Sequence, residues 1–220
     1  AILLVAGMAV FLFSGCRSAS PASPQANTVV TPLPEADLPN DTPAPTVAAA
    51  PPVAPPPAAA PVNVAPPPTP PLIRIKPGLF SSYTDSAGNV WLPDQGFADG
   101  ETTDRPDDIQ IANTKDPALY RTERYSMTAF SYPLPNGKYL VKLHFAETCD
   151  GITGPGGRVF SFKVEDQEFK DFDVWAKAGG AQRAYIEAVN VEVADGKLDI
   201  TFAPKEENPE INGIEILPAP

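Results

Sequence analysis

The chain has 220 residues, a formal net charge of −11 and 29 prolines, and its composition is so uneven that whole-chain averages mislead. Three of its 27 acidic residues and one of its 16 lysines and arginines precede Ile73, so the negative charge resides in the stretch from Ile73 to Pro220. An acidic surface of that kind repels phosphate backbones, which excludes a nucleic-acid partner, and it equally disfavours anionic polysaccharides.

The first element, residues 1–15, is an apolar run, Ile2-Leu3-Leu4-Val5 and then Val10-Phe11-Leu12-Phe13, closing on the small residues Ser14-Gly15 before Cys16. It is shorter than the roughly 20 residues of a membrane-spanning helix and reads as a signal-peptide core with its cleavage site, truncated at its start because no initiating Met or basic leader precedes it. Phe13-Ser14-Gly15-Cys16 resembles the lipobox of bacterial lipoproteins, which implies lipid on Cys16 and a bilayer as partner.

Residues 16–72 form the next element, a linker. From Pro21 to Pro71 the composition is Pro, Ala, Val and Thr with few charges (Glu35, Asp37, Asp41). Proline fixes its own φ, lacks an amide donor and pushes the residue before it toward extended geometry, so this stretch is expected to be a disordered stalk sampling polyproline II. At about 3.1 Å per residue its fully extended reach is on the order of 150 Å.

From Ile73 to Pro220 the pattern is that of a folded module with period two. Tyr139, Val141, Leu143 and Phe145 alternate with Lys138, Leu140, Lys142 and His144; Tyr185 to Val193 and Lys197 to Phe202 alternate likewise. Further strands are predicted at Ile73–Lys76, Asn89–Leu92, Ala129–Leu134, Arg158–Val164 and Gly213–Leu217. Pro135-Asn136-Gly137 and Asp195-Gly196 read as hairpin turns, since Gly, Asn and Asp tolerate positive φ. Many short strands with little helical pattern predict an all-β, jelly-roll-type β-sandwich. Residues 94–116, acidic and aperiodic, are predicted to form a long loop over one face. With Cys16 assigned to lipid, Cys149 is the one cysteine left, and the module is expected to rest on its core without a disulfide.

Few residues offer chemistry. His144 is the only histidine and no nucleophile motif accompanies it, so it reads as a strand-surface residue rather than a catalytic base. Carboxylate pairs for glycoside hydrolysis can be found anywhere in so acidic a module and point nowhere. Asp104, Asp107 and Asp108 do not have the spacing of a calcium loop. The expectation is no enzyme, no cofactor and no metal. Aromatics beside carboxylates remain, the combination that packs on the C–H faces of sugars while accepting bonds from their hydroxyls.

A set of short motifs is far more specific than any of these. Ala118-Leu119-Tyr120-Arg121-Thr122-Glu123-Arg124-Tyr125, His144-Phe145-Ala146-Glu147, Gly157-Arg158-Val159-Phe160, Phe172-Asp173-Val174 and Asn208-Pro209-Glu210-Ile211-Asn212-Gly213-Ile214-Glu215 closely resemble, in order and spacing, the malectin domain. The resemblance implies a β-sandwich carbohydrate-binding module without catalysis, contacting glucose-containing oligosaccharides at one end. It assigns sugar stacking to Tyr125 and hydroxyl binding to Glu207. Two adjacent family aromatics are replaced here by Cys149 and Asp150, and a further upstream tyrosine has no counterpart. A reshaped site is therefore expected to use Asp150 with Phe97 or Trp91. The partner expected is a neutral oligosaccharide or envelope glycan bound by a lipoprotein of the cell envelope, at the outer membrane or cell surface rather than the inner membrane. The alternative is a module that binds an envelope protein.

Overall fold

The computed structural model of the chain describes residues 71–219. The signal segment, Cys16 and the stalk lie outside the described residues.

The described chain runs through thirteen strands: β1 (Ile73–Ile75), β2 (Tyr83–Thr84), β3 (Val90–Trp91), β4 (Glu101–Asp104), β5 (Thr122–Tyr125), β6 (Ala129–Pro133), β7 (Gly137–Phe145), β8 (Val159–Val164), β9 (Gln167–Phe172), β10 (Tyr185–Val193), β11 (Lys197–Glu206), β12 (Glu210–Ile211) and β13 (Gly213–Pro218). A single-turn helix, α1 (Val174–Ala178), separates β9 from β10, and a 3-10 turn at Pro117–Tyr120 precedes β5. Two four-stranded antiparallel sheets form a sandwich, one ordered β1-β13-β7-β10 and the other β6-β11-β8-β9.

Period two explains the core. Residues opposite one another in antiparallel strands share a face. The rows Ile75–Ile214–Leu143 and Ile73–Ile216–Val141–Val189 therefore turn the same way in the first sheet. In the second, Phe130–Ile200–Val164 and Phe202–Phe162 face them. An aromatic cluster of Phe145, Phe160, Phe162 and Phe172, with ring centroids 5.0–6.2 Å apart, fills the space between. Each such ring, fully buried, stabilises by about 1.5–3 kcal/mol.

Three expectations change. The Asn136-Gly137 and Asp195-Gly196 turns are not hairpins: β6 and β11 lie in one sheet, β7 and β10 in the other, so both turns carry the chain across the sandwich. They are tied together, Asn136 Nδ2 donating to the Ala194 carbonyl (2.8 Å) and the Gly196 amide to Asn136 Oδ1 (2.8 Å). The tight hairpin is instead β8–β9, closed by Glu165-Asp166 with Glu165 at φ 50°, a turn without glycine. Within 94–116, β4 is a strand, recruited by pairing with β5 although neither of its faces is apolar. Finally, Cys149 is buried and is not a free thiol, so a module without a cysteine bond is not what the structure describes.

The register defines two poles. β7 runs from Gly137 to Phe145, and β13 starts opposite His144 and ends opposite Tyr139. β1 pairs Ile73 with Ile216 and Ile75 with Ile214, so the chain enters at the Tyr139 level and climbs. Entry and C-terminus thus share one pole. The segment after Phe145, and β12 just before Gly213, occupy the other.

Candidate functional site

A third sheet, β12-β5-β4, caps the far pole. Tyr125 stands opposite Glu210 on one side and Glu101 on the other, and Glu123 lies opposite Thr103. Alternation places Glu101, Glu123, Tyr125 and Glu210 on one face and Arg124 on the reverse. Gly100, at φ +90°, begins this cap where a Cβ would lie 2.6 Å from the Tyr125 carbonyl, so no side chain fits.

Under that face lies a buried ion network. The Arg105 guanidinium donates to Thr148 Oγ1 (3.0 Å) and Glu123 Oε1 (3.1 Å), and Thr148 donates to Glu123 Oε2 (2.8 Å). Arg158 Nε donates to Glu147 Oε2 (2.7 Å), its Nη1 reaches the Asn208 carbonyl, and the Cys149 amide donates to Glu147 Oε1 (3.0 Å). Arg158 and Glu147 side chains are only 4% and 1% exposed, so each charge depends on the other. Glu210 lies among them with 0% exposure and neither carboxyl oxygen bonded to any described group. Burial, then the charge of Glu123, pushes its carboxyl well above the usual carboxylate range, against the pull of Arg158.

Tyr125 and Glu207 flank the contact between the β5 end and the turn before β12. Ser126 and Glu207 both adopt left-handed φ (59° and 55°), and the Ser126 amide donates to the Pro209 carbonyl (2.9 Å). The Tyr125 hydroxyl donates to Glu101 Oε2 (2.6 Å), a bond that pushes its pKa up to about 12. Glu101, missed in the sequence, is part of this surface; its signal was only its place opposite Tyr125 in a pairing the sequence did not reveal.

Asp150 is exposed and lines a cavity of about 280 Å3 with Glu147, Thr148, Cys149 and Trp175. Tyr125 and Glu207 do not line that cavity; their chain neighbours Glu123 and Asn208 belong to the network.

The other two candidates are corrected. Trp91 is 2% exposed, gives its indole N–H to Asp85 Oδ2 (3.0 Å) and meets His144 edge-on at 5.4 Å, so it is core. Phe97 is packed on Phe130 (5.0 Å) and covered by the Arg124 guanidinium (5.0 Å), on the reverse of the cap from Tyr125. His144 is likewise buried rather than on a strand surface. Its ring nitrogens meet the Tyr120 hydroxyl (2.9 Å) and Glu215 Oε1 (3.0 Å), and Glu215 also binds Arg74 (2.9 Å). No group of three or more metal-type ligands gathers among the described residues, and Asp107 pairs with Arg121 (3.2 Å).

The family model of the malectin domain matches residues 73–214. Malectin-B of Xenopus laevis is 31% identical over 96 residues, 42% of this chain and 34% of that protein. A probable LRR receptor-like serine/threonine-protein kinase of Arabidopsis thaliana is 34% identical over 125 residues, covering 52% of this chain and 12% of the kinase. The chain therefore spans about a third or less of these curated relatives. Among solved structures, a Bacteroides uniformis β-glucuronidase superposes with TM-score 0.61 at 20% identity, over 68% of this chain and 18% of the enzyme. The Arabidopsis thaliana ANXUR1 extracellular domain gives 0.58 at 18%, over 66% and 48%. At such identities the likeness is one of fold.

Proposed function

Because this chain belongs to the malectin domain family, we propose that it is a non-catalytic carbohydrate-binding module that takes neutral oligosaccharides at its capped pole. One observation carries the reading: Tyr125, its hydroxyl on Glu101, pairs in the cap sheet with Glu210 and shares a face with Glu123, whose partner Thr148 lines the neighbouring cavity with Asp150. An aromatic ring among carboxylates matches a sugar, whose C–H face packs on the ring and whose hydroxyls donate to the acids. The network beneath holds the strands bearing these groups in fixed register, so little ordering is left to be done on binding. Negative charge on the module selects against polyanions.

The proposal extends to a membrane tether, with lipid on Cys16 in place of any bond from Cys16 to Cys149, and residues 16–72 as the stalk of a cell-envelope lipoprotein, at the outer membrane or cell surface. The chain's entry at the pole away from Tyr125 supports this arrangement, because a module hung from there presents its site outward. Weak single-site sugar binding then gains from many tethered copies through effective concentration.

Isothermal titration of the full chain against neutral gluco-oligosaccharides, with a glycan array for breadth, tests the reading. Binding at millimolar concentrations or tighter is expected. No saccharide bound at millimolar levels overturns it, and retention of an envelope protein that excess sugar does not displace assigns the pole to a protein partner instead.

A further inference from the structure

The two aromatic positions that the family resemblance implies after Phe145-Ala146-Glu147 are Cys149 and Asp150 here, which leaves the site short of a stacking surface. The structure supplies one from elsewhere in the chain. Trp175, on α1, lines a cavity of about 280 Å3 together with the exposed Asp150, Thr153 and Gln182 and the buried Glu147, Thr148 and bonded Cys149. In sequence Trp175 lies 25 positions from Asp150 and carries no motif of its own; only the fold brings the two to one cavity.

The wall is rigid. Asp173 caps α1, its Oδ1 accepting from the Ala176 amide (2.9 Å) while its Oδ2 accepts from the Gly156 amide (2.6 Å), which fastens the 154–157 loop to the helix. Val174 is fully buried beneath it. At the other end the Gly179 and Gly180 amides both donate to the Trp175 carbonyl (3.0 and 2.9 Å), with Gly179 at φ 77°, where side chains rarely go. Across the cavity, Gln182 holds a left-handed φ of 53°, pinned by its amide on the Glu147 carbonyl (2.8 Å) and its carbonyl on the Ala112 amide (2.8 Å). The segment that carries Gln182 is thereby held over the cavity.

The polar groups at the rim are unspent. The Trp175 indole N–H, the Asp150 carboxylate, the Thr153 hydroxyl and the Gln182 carboxamide make no hydrogen bond to any described residue. Two donors, an acid and an amide around a half-exposed indole face form a set that can take alternating hydroxyls of one ring while stacking against it. The Glu147 carboxylate below is already held by Arg158, leaving Asp150 as the uncompensated charge.

We propose that this cavity is the sugar subsite, with Trp175 as its stacking residue and Asp150, Gln182 and Thr153 fixing the hydroxyls of one terminal, uncharged pyranose. The assignment rests on the carbohydrate reading above and goes further by naming where the ring sits. A volume at the low end of small-ligand pockets fits a single ring, the remainder of the oligosaccharide leading out of the cavity. Asp150 rejects uronic acids, whose carboxylate would meet it.

Two tryptophans give the test an internal control, since Trp91 is core and Trp175 is not. The 15N-labelled full chain is titrated with glucose, galactose, mannose, N-acetylglucosamine, their short oligomers and glucuronate, and the two indole N–H resonances are followed. Movement of the Trp175 resonance alone is expected, with Trp175→Ala weakening binding about tenfold and Trp175→Phe retaining most of it. Should Trp175→Ala fail to fold, the wild-type resonance and Gln182→Ala still decide. Saccharide binding by calorimetry that leaves the Trp175 resonance still and the Trp175→Ala affinity unchanged overturns the subsite alone. Glucuronate bound as tightly as glucose overturns the uncharged-ring assignment. Absence of any saccharide binding overturns the underlying reading together with the subsite.

Discussion

Replacing Glu210 by glutamine isolates the cost of the buried acid beneath the cap. The side chain is 0% exposed and neither carboxyl oxygen has a described partner. Burial and the Glu123 charge raise its folded pKa well above the ordinary 4.5. In the unfolded chain the carboxyl ionises through its ordinary value while the folded chain keeps its proton. Between the two values the folded state therefore binds more protons, and stability falls as pH rises, by up to about 1.4 kcal/mol per pH unit. Glutamine keeps the shape and the same unsatisfied polar burial but does not titrate, so those costs cancel in the comparison. Urea unfolding of wild type and Glu210→Gln over a series of pH values should give a constant difference below the ordinary carboxylate pKa. Above it the difference should grow in favour of glutamine until the raised pKa is passed. A difference that stays flat across that range, or shrinks with rising pH, would refute the buried, protonated Glu210.

Arg158→Met strands the buried Glu147 carboxylate and should destabilise by about 3–5 kcal/mol; adding Glu147→Gln should recover part of that loss in thermal unfolding. Burial lowers the Lys76 ammonium to about 7 although Asp104 and Glu123 oppose it. Wild type should therefore gain stability relative to Lys76→Met as pH rises from that value to the ordinary 10.5, by up to about 1.4 kcal/mol per unit, and run parallel to it below. Tyr125→Ala should weaken saccharide binding about tenfold while changing stability by less than about 1 kcal/mol, because the ring is half-exposed; a loss of about 2 kcal/mol or more in unfolding would make Tyr125 structural. Mass spectrometry of the membrane-extracted chain should find a thioether-linked lipid on Cys16. A Cys16–Cys149 bridge in its place would refute the anchor, since one sulfur cannot serve both.

The family motifs were legible because they are written in residues that gather in the interior. Glu123 comes from Thr-Glu-Arg-Tyr, Glu147 from His-Phe-Ala-Glu, Arg158 from Gly-Arg, and Asn208 and Glu210 from Asn-Pro-Glu; all meet in one buried network. His144 and Glu215, from the second and last of these motifs, form a further buried pair. Buried charges tolerate no partner but their own, so these motifs report the fold's interior. The surface above it is solvated and unconstrained in that way, which is why Glu101 stood out from the other acids no more than Trp175 did from the other aromatics, Trp91 and Phe97 among them. A ring's presence in sequence does not say which side of a sheet it takes, and one position of register decides between core and solvent.

By itself, then, the sequence determined the sandwich class, the central strands and the acidic character of the module, because period-two alternation and net charge are local or additive properties. Pairing partners, the sheet-crossing role of the Asn136-Gly137 and Asp195-Gly196 turns, the β4 strand within 94–116, and the meeting of Trp175 with Asp150 were decided by tertiary structure. These are contacts between residues distant in the chain, fixed by which hydrogen-bonding edges remain to be paired once the core has closed.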